Sequence, residues 1–207
     1  ALLLLSRVYL YQKKYDDVIT VVDDLLKTTE TEIIPYSTLE KFISSDDVVY
    51  KVYNTNNPGM IFSWGKLDVD ATGFGYDLMR HSKAFFCASS ELIGLYDEGN
   101  DLRFSRYYDK YDFNNYDEGI FYVATKNYCK ASTANEAYDQ ALRLEEAYLN
   151  RAEALARRFQ AKGDGNDRVQ ALDDLNTLRE TRFATGTYVE EEVTDAQDLL
   201  DFCLNER

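Results

Sequence analysis

Between residues 142 and 182 the apolar side chains recur with helical spacing. Leu144, Tyr148, Ala152, Leu155 and Phe159 stand 4, 4, 3 and 4 positions apart. On a helix they form one stripe, and Glu145, Asn150, Arg151, Glu153 and Arg157 turn away from it. Gly163-Asp164-Gly165-Asn166-Asp167 follows, a cluster that tolerates left-handed backbone or bonds its own amides, and then a second run with Ala171, Leu175 and Leu178 on one side. The two runs predict a helical hairpin. Residues 2–27 predict another: Leu2, Leu5 and Tyr9 face inward on the first arm, Gln12-Lys13-Lys14 makes the turn, and Val18, Val22 and Leu25 face inward on the second. One such hairpin cannot bury both of its faces, so others must pack against it.

The middle has no such period. Ser37-Thr38-Leu39-Glu40 has the spacing of a capping box and predicts the start of a short helix. Asn54-Thr55-Asn56-Asn57-Pro58-Gly59 is a turn cluster, after which Met60-Ile61-Phe62-Ser63-Trp64 reads as a short extended segment. In residues 104–128, nine of twenty-five side chains are aromatic. Neither a helical nor an alternating period fits the first half, which reads as loop, while 119–125 reads as a strand. Long irregular excursions inside helical proteins are where binding surfaces often sit.

The small residues Ala147, Ala152, Ala154 and Ala171 let two helices approach closely, which is the packing logic of tetratricopeptide hairpins. In the first hairpin Ser6 takes the small position, Tyr15 that of the turn aromatic, and Val18 the place usually held by Ala. Arg143-Leu144-Glu145-Glu146-Ala147-Tyr148-Leu149-Asn150-Arg151-Ala152-Glu153-Ala154, followed by Ala171-Leu172-Asp173-Asp174-Leu175-Asn176-Thr177-Leu178-Arg179-Glu180-Thr181-Arg182, resembles the C-terminal signature of the SusD/RagB family. Further anchors follow the family's order. They are the turn before Ile61-Phe62-Ser63, where Gly59-Met60 stands near the expected Glu; Ser90-Glu91-Leu92 through Tyr96, Asp101 and Arg103; Lys126 before Tyr128; and Glu206-Arg207, which resembles the opening of a longer family segment.

The resemblance implies a surface-exposed outer-membrane lipoprotein that captures glycan or another nutrient for a TonB-dependent, SusC-like transporter, and no enzyme. It also implies an internal fragment of such a protein, with the signal peptide and lipid-bearing cysteine lying elsewhere. The expected fold is mainly α, with tetratricopeptide-like hairpins and a long irregular middle. The expected organisation is a single region 1–207, made of a hairpin at 1–30, a loop-rich middle at 31–141, and a second hairpin with the C-terminal motif at 142–207.

Composition narrows the chemistry. A chain of 207 residues, 45% hydrophobic, can bury a substantial core. Its formal net charge of -14 argues against a nucleic-acid partner, which would need clustered Lys and Arg. No apolar run approaches the ~20 residues of a spanning helix. Cys87, Cys129 and Cys203 are widely spaced and form neither a CxxC unit nor a zinc pattern. His81 is the sole histidine, which removes Ser-His-Asp triads and two-His zinc motifs. Asp164-Gly165-Asn166-Asp167 lacks the spacing and closing Glu of a calcium loop, and Gly73-Phe74-Gly75 lacks the Lys-Ser/Thr of a phosphate loop. No cofactor is expected. Acidic runs such as Asp16-Asp17 and Glu190-Glu191-Glu192 read as solvated surface.

The aromatic supply carries the functional reading. A sugar presents an apolar face of C-H groups and a rim of hydroxyls, so a site for it wants a flat ring beside hydrogen-bonding side chains. Ser63-Trp64-Gly65-Lys66-Leu67-Asp68 and Gly73-Phe74-Gly75-Tyr76-Asp77 supply that mixture, and the candidate ligand-binding residues are Trp64, Tyr76, Asp77 and Arg80. The expected activity is binding of an oligosaccharide or polysaccharide without covalent chemistry. The alternative is a helical-repeat adaptor that binds a protein in its groove and no carbohydrate.

Overall fold

The computed structural model describes residues 1–39, 41–43, 48–50, 57–64, 87–97, 99–112, 120–124 and 140–207. In chain order the elements are α1 (Leu2–Tyr11), α2 (Tyr15–Thr28), a 3-10 turn (Tyr36–Thr38), β1 (Lys41–Ile43), β2 (Val48–Tyr50), β3 (Met60–Trp64), α3 (Ser90–Ile93), α4 (Leu102–Tyr107), β4 (Tyr108–Asp112), β5 (Ile120–Ala124), β6 (Gln140–Arg143), α5 (Leu144–Lys162), α6 (Gly165–Arg182) and α7 (Ala196–Glu206). The fold is mainly helical, with helical hairpins, as the sequence pattern predicts. Among the described residues no helix is long and apolar enough to cross a membrane. The chain divides into two compact units: Ala1–Ile33 with Leu142–Thr181 and Tyr188–Arg207, and Ile34–Ala141 with Arg182–Thr187.

The first unit is built around α5. Its N-terminal neighbours, α1 and α2, form the expected hairpin, closed at Lys13, which takes a left-handed φ of 58°. The amide of Lys14 reaches back to the carbonyl of Tyr9 at 2.9 Å and ends α1. On α2, Asp16 and Asp17 occupy the first turn and Lys27 the last, each complementing the helix dipole, and Val18, Ile19, Val22 and Leu25 are buried. The inward face of α1 differs from the expected Leu2, Leu5 and Tyr9: the buried residues are Leu3 and Ser6, and Leu5 is exposed. Residues 2–5 are all leucine, so periodicity could not choose a face. The choice falls to Ser6, whose hydroxyl donates to the Leu3 carbonyl at 2.7 Å and accepts from the Asn150 amide at 2.9 Å. The small side chain lets α1 lie close against α5.

On α5 the stripe holds only in part. Leu144, Ala152 and Leu155 are buried and Tyr148 and Phe159 half-buried, but Glu145, Asn150 and Glu153, expected to face solvent, are buried as well. The reason is that α5 packs against α1, α2 and α7 and is ion-paired to α6, so little of its circumference is left to water. Ala147, Ala152, Ala154 and Ala156 are all fully buried and admit these neighbours.

Polar residues on so enclosed a helix must be paired. Arg151 donates Nε and Nη2 to the Asp174 carboxylate on α6 at 2.9 and 2.6 Å, and Nη1 to Asp23 on α2 at 2.6 Å. Arg158 likewise grips Asp167 and reaches Asp16 at 2.7 Å. Asp16 is therefore paired rather than simply solvated, and its carboxyl is held below the usual carboxylate range by that bond. The turn between α5 and α6 is opened by Gly163 at φ 71° and tightened by Asp164, whose carboxylate accepts from the Asn166 amide at 2.9 Å. Glu191 is also fixed: its amide donates to Asn176 Oδ1 at 3.0 Å, and its carboxylate lies 3.5 Å from Arg179. Asp195 caps α7, which buries Leu199, Leu200 and Cys203.

In the second unit the short helix predicted to begin at Ser37-Thr38-Leu39-Glu40 is not found over residues 37–39, and Glu40 lies outside the described residues. Tyr36–Thr38 is a single 3-10 turn, and Leu39 goes extended because its side chain joins Tyr36 and Tyr107 in a small core. Strands β1 and β2 pair antiparallel with Lys41 opposite Tyr50, and β4 and β5 with Tyr108 opposite Ala124. β3 and β6 form a third two-stranded ladder. β5 falls within the strand predicted at 119–125. Of the preceding half, read as loop, residues 104–112 are instead the end of helix α4 running directly into β4, and 113–119 lie outside the described residues. Asp101 starts α4 by accepting the Arg103 amide at 2.9 Å, a cap that the aromatic crowding obscured.

Two outcomes check this unit-by-unit packing. Arg151→Ala strands the buried Asp174 carboxylate and is expected to lower the unfolding free energy by about 3–5 kcal/mol. Lys162→Ala, whose 4.0 Å pair with Asp16 is exposed on both sides, is expected to change it by less than ~1 kcal/mol in the same denaturant titration. Burial, reinforced by the Glu153 carboxylate, pushes the Cys203 thiol up to about 12. In the native chain at pH 8 an alkylating reagent is therefore expected to label exposed Cys87 and spare Cys203 until denaturant is added, as read by peptide mass mapping.

Candidate functional site

The candidate site lies on the second unit, where aromatic side chains remain accessible. A turn at residues 57–59 leads into β3: the buried Asn57 accepts the Gly59 amide on its side chain at 2.8 Å and the Met60 amide on its carbonyl at 3.0 Å. The strand begins at once, and side chains alternate faces. Phe62 and Trp64, two residues apart, share one face and are exposed at 57% and 40%, while Met60, Ile61 and Ser63 are partly covered. Their ring centroids are 5.7 Å apart and their planes 32° from parallel. Two rings so arranged make a nearly continuous apolar platform, the surface on which the C-H face of a sugar stacks.

Behind α4 the unit carries a second aromatic group, half-buried. Phe104 lies 5.1 Å from Tyr122 and 6.2 Å from Tyr96, and Tyr96 meets Tyr108 edge-on at 5.7 Å. The Arg103 guanidinium stands 5.2 Å from the centre of the Tyr96 ring. Arg103 is itself buried and held by Asp101, with Nη2 to Oδ2 at 2.6 Å, so this pair positions the aromatic group rather than presenting charge to a ligand. Burial, and then the hydrogen bond shared with Tyr96, raise the Tyr108 hydroxyl well above its ordinary value. Tyr36 and Tyr107 are sealed from water, hydroxyl against hydroxyl, and belong to the core.

Of the residues named from sequence, Trp64 stands exposed on the β3 platform. Tyr76, Asp77 and Arg80 lie outside the described residues, as do His81, Gly73-Phe74-Gly75, Lys126 and Cys129. Phe62 was missed. It sits in an apolar run and looks like core, but its spacing of two from Trp64 on an extended segment was the signal that both rings share a face. Among the described residues no group of three or more His, Cys, Asp or Glu side chains could hold a metal ion. The carboxylates of the Gly163–Asp167 turn are spent, Asp167 on Arg158 and Asp164 on a backbone amide.

No family model matches the chain, and no curated protein does. Among solved structures it is similar to a SusD-like protein from Bacteroides fragilis, with a TM-score of 0.57 and 17% sequence identity over 99% of this chain and 50% of that one. The chain thus spans about half the length of that structure. The likeness is one of fold: the chain has a SusD-like fold.

If the β3 rings are surface and the tyrosine pair is core, substitution separates them. Phe62→Ala and Trp64→Ala are expected to leave thermal stability within ~1 kcal/mol of the parent. Tyr107→Phe, which leaves the buried Tyr36 hydroxyl without its partner, is expected to cost about 1–3 kcal/mol by the same melting measurement.

Proposed function

We propose that this chain is the glycan-capturing part of a cell-surface nutrient-binding protein, working without covalent chemistry and delivering its ligand to a TonB-dependent, SusC-like transporter of the outer membrane. The observation that carries the reading is the Phe62 and Trp64 pair, two exposed rings side by side on a protein with a SusD-like fold. Exposed neighbouring aromatics cost solvation and are retained where a partner covers them. Stacking on their faces holds the apolar side of a pyranose, and nearby polar side chains bond its hydroxyls. Tyr76, Asp77 and Arg80 are proposed to add a further ring, an acceptor and a donor to this site. The lipid anchor and surface location implied by the family resemblance belong to the same proposal.

The test is calorimetric titration of the chain with a panel of soluble neutral polysaccharides. Binding is expected for at least one of them, without release of reducing sugar. Trp64→Ala and Phe62→Ala are each expected to weaken it about tenfold, ~1.4 kcal/mol. Silence across the whole panel, or unchanged affinity in both variants, overturns the assignment of the platform.

A further inference from the structure

A second surface, on the first unit, has chemistry of a different kind. Helices α1, α5 and α7 enclose a groove of about 590 Å³ whose wall includes Arg7, Lys13, Arg157, Arg207, Tyr11 and Tyr15. Only two carboxylates line it, those of Glu146 and Glu153. Glu146 is engaged by Arg7, and Glu153 is shared by Arg157 and Arg207, each at 2.8 Å. Lys13, held on the hairpin turn, has no carboxylate within ion-pair distance among the described residues. Four cations against two acids leave the groove positive inside a chain whose formal net charge is -14. That local reversal of sign is the feature to explain, because a surface patch of one sign draws partners of the other.

Apolar side chains beside the groove narrow the kind of anion. Leu10 and Leu204 line it, and Leu204 is 44% exposed. On the same flank of α1, Leu4 and Val8 are exposed and lead to Tyr11, which is 89% exposed. With the helical rise of ~1.5 Å per residue, this stripe is roughly 10 Å long, two turns of helix. An acidic sugar would satisfy the cations but has nothing to lay along leucine and valine. A peptide helix with carboxylates on one edge and apolar side chains beside them matches both features.

We infer that the α1–α5–α7 groove is a docking site for an acidic amphipathic helix of a partner protein. The carboxylates of the helix lie between Lys13, Arg157 and Arg207, and its apolar face covers Leu4, Val8, Tyr11 and Leu204. This site is separate from the proposed glycan platform, and either can fail without the other.

The test is fluorescence anisotropy of the full 207-residue chain with a labelled amphipathic helix of about twenty residues built from Leu, Ala and Glu, long enough to hold helical structure. Saturable binding is expected that weakens as salt rises and falls at least about fivefold in both Lys13→Glu and Tyr11→Ser. Both positions are on the surface, so neither variant threatens the core. The inference is overturned if the peptide does not bind, if its counterpart with Lys in place of Glu binds equally, if both variants bind as the parent does, or if an oligogalacturonate displaces the peptide from the groove.

Discussion

The first unit depends on the enclosure of one charged helix. α5 is packed on most of its circumference, yet its sequence carries Asn150, Arg151, Glu153 and Arg158 among its alanines and leucines. Desolvating any of these alone would cost more than a typical hydrophobic contact returns. Each neighbouring helix therefore brings a partner: Asp23 from α2, Asp174 and Asp167 from α6, Ser6 from α1, and Arg207 just past α7. The alanines decide how close the helices come, and the polar partners decide which rotation about each axis is allowed. Apolar packing alone would tolerate neighbouring rotations; a two-pronged Arg151 does not.

The second unit reaches order by other means. Its small core is tyrosine against tyrosine, with Leu39 closing the gap, and its helices are too short to stand without caps such as Asp101. Among the described residues of this unit, rings are thereby sorted into three environments: sealed at Tyr36 and Tyr107, half-buried around Phe104, and open at Phe62 and Trp64. Only the last kind is free to meet a ligand face-on. The same composition that makes the stretch look like one binding surface supplies both its scaffold and its accessible part.

How much of this could be read from the chain follows from the physics of each element. α2, α5 and α6 were legible because their period is long and their turns carry Gly, Asp and Lys where the backbone demands them. The inward face of α1 was not, since an all-leucine start gives every face the same affinity for the core and a hydrogen bond settles it. The buried side of Glu145 and Glu153 was not, because periodicity describes one contact surface and α5 has several. α4 escaped notice for its brevity, having a single cap and few residues over which a period could build. At the candidate site, Trp64 stood out between turn and polar residues, whereas Phe62 needed the strand's alternation before it could be paired with it.

Asn150 has a consequence of its own. Its amide nitrogen donates to Ser6 near the beginning of the chain and its oxygen accepts from Arg207 at 3.0 Å, so one carboxamide is shared between two helices far apart in sequence. With both ends of the group committed, it cannot flip without breaking both bonds. Fraying at α7 and loosening of α1 thus act on the same side chain, a coupling of about 1 kcal/mol, the worth of one hydrogen bond.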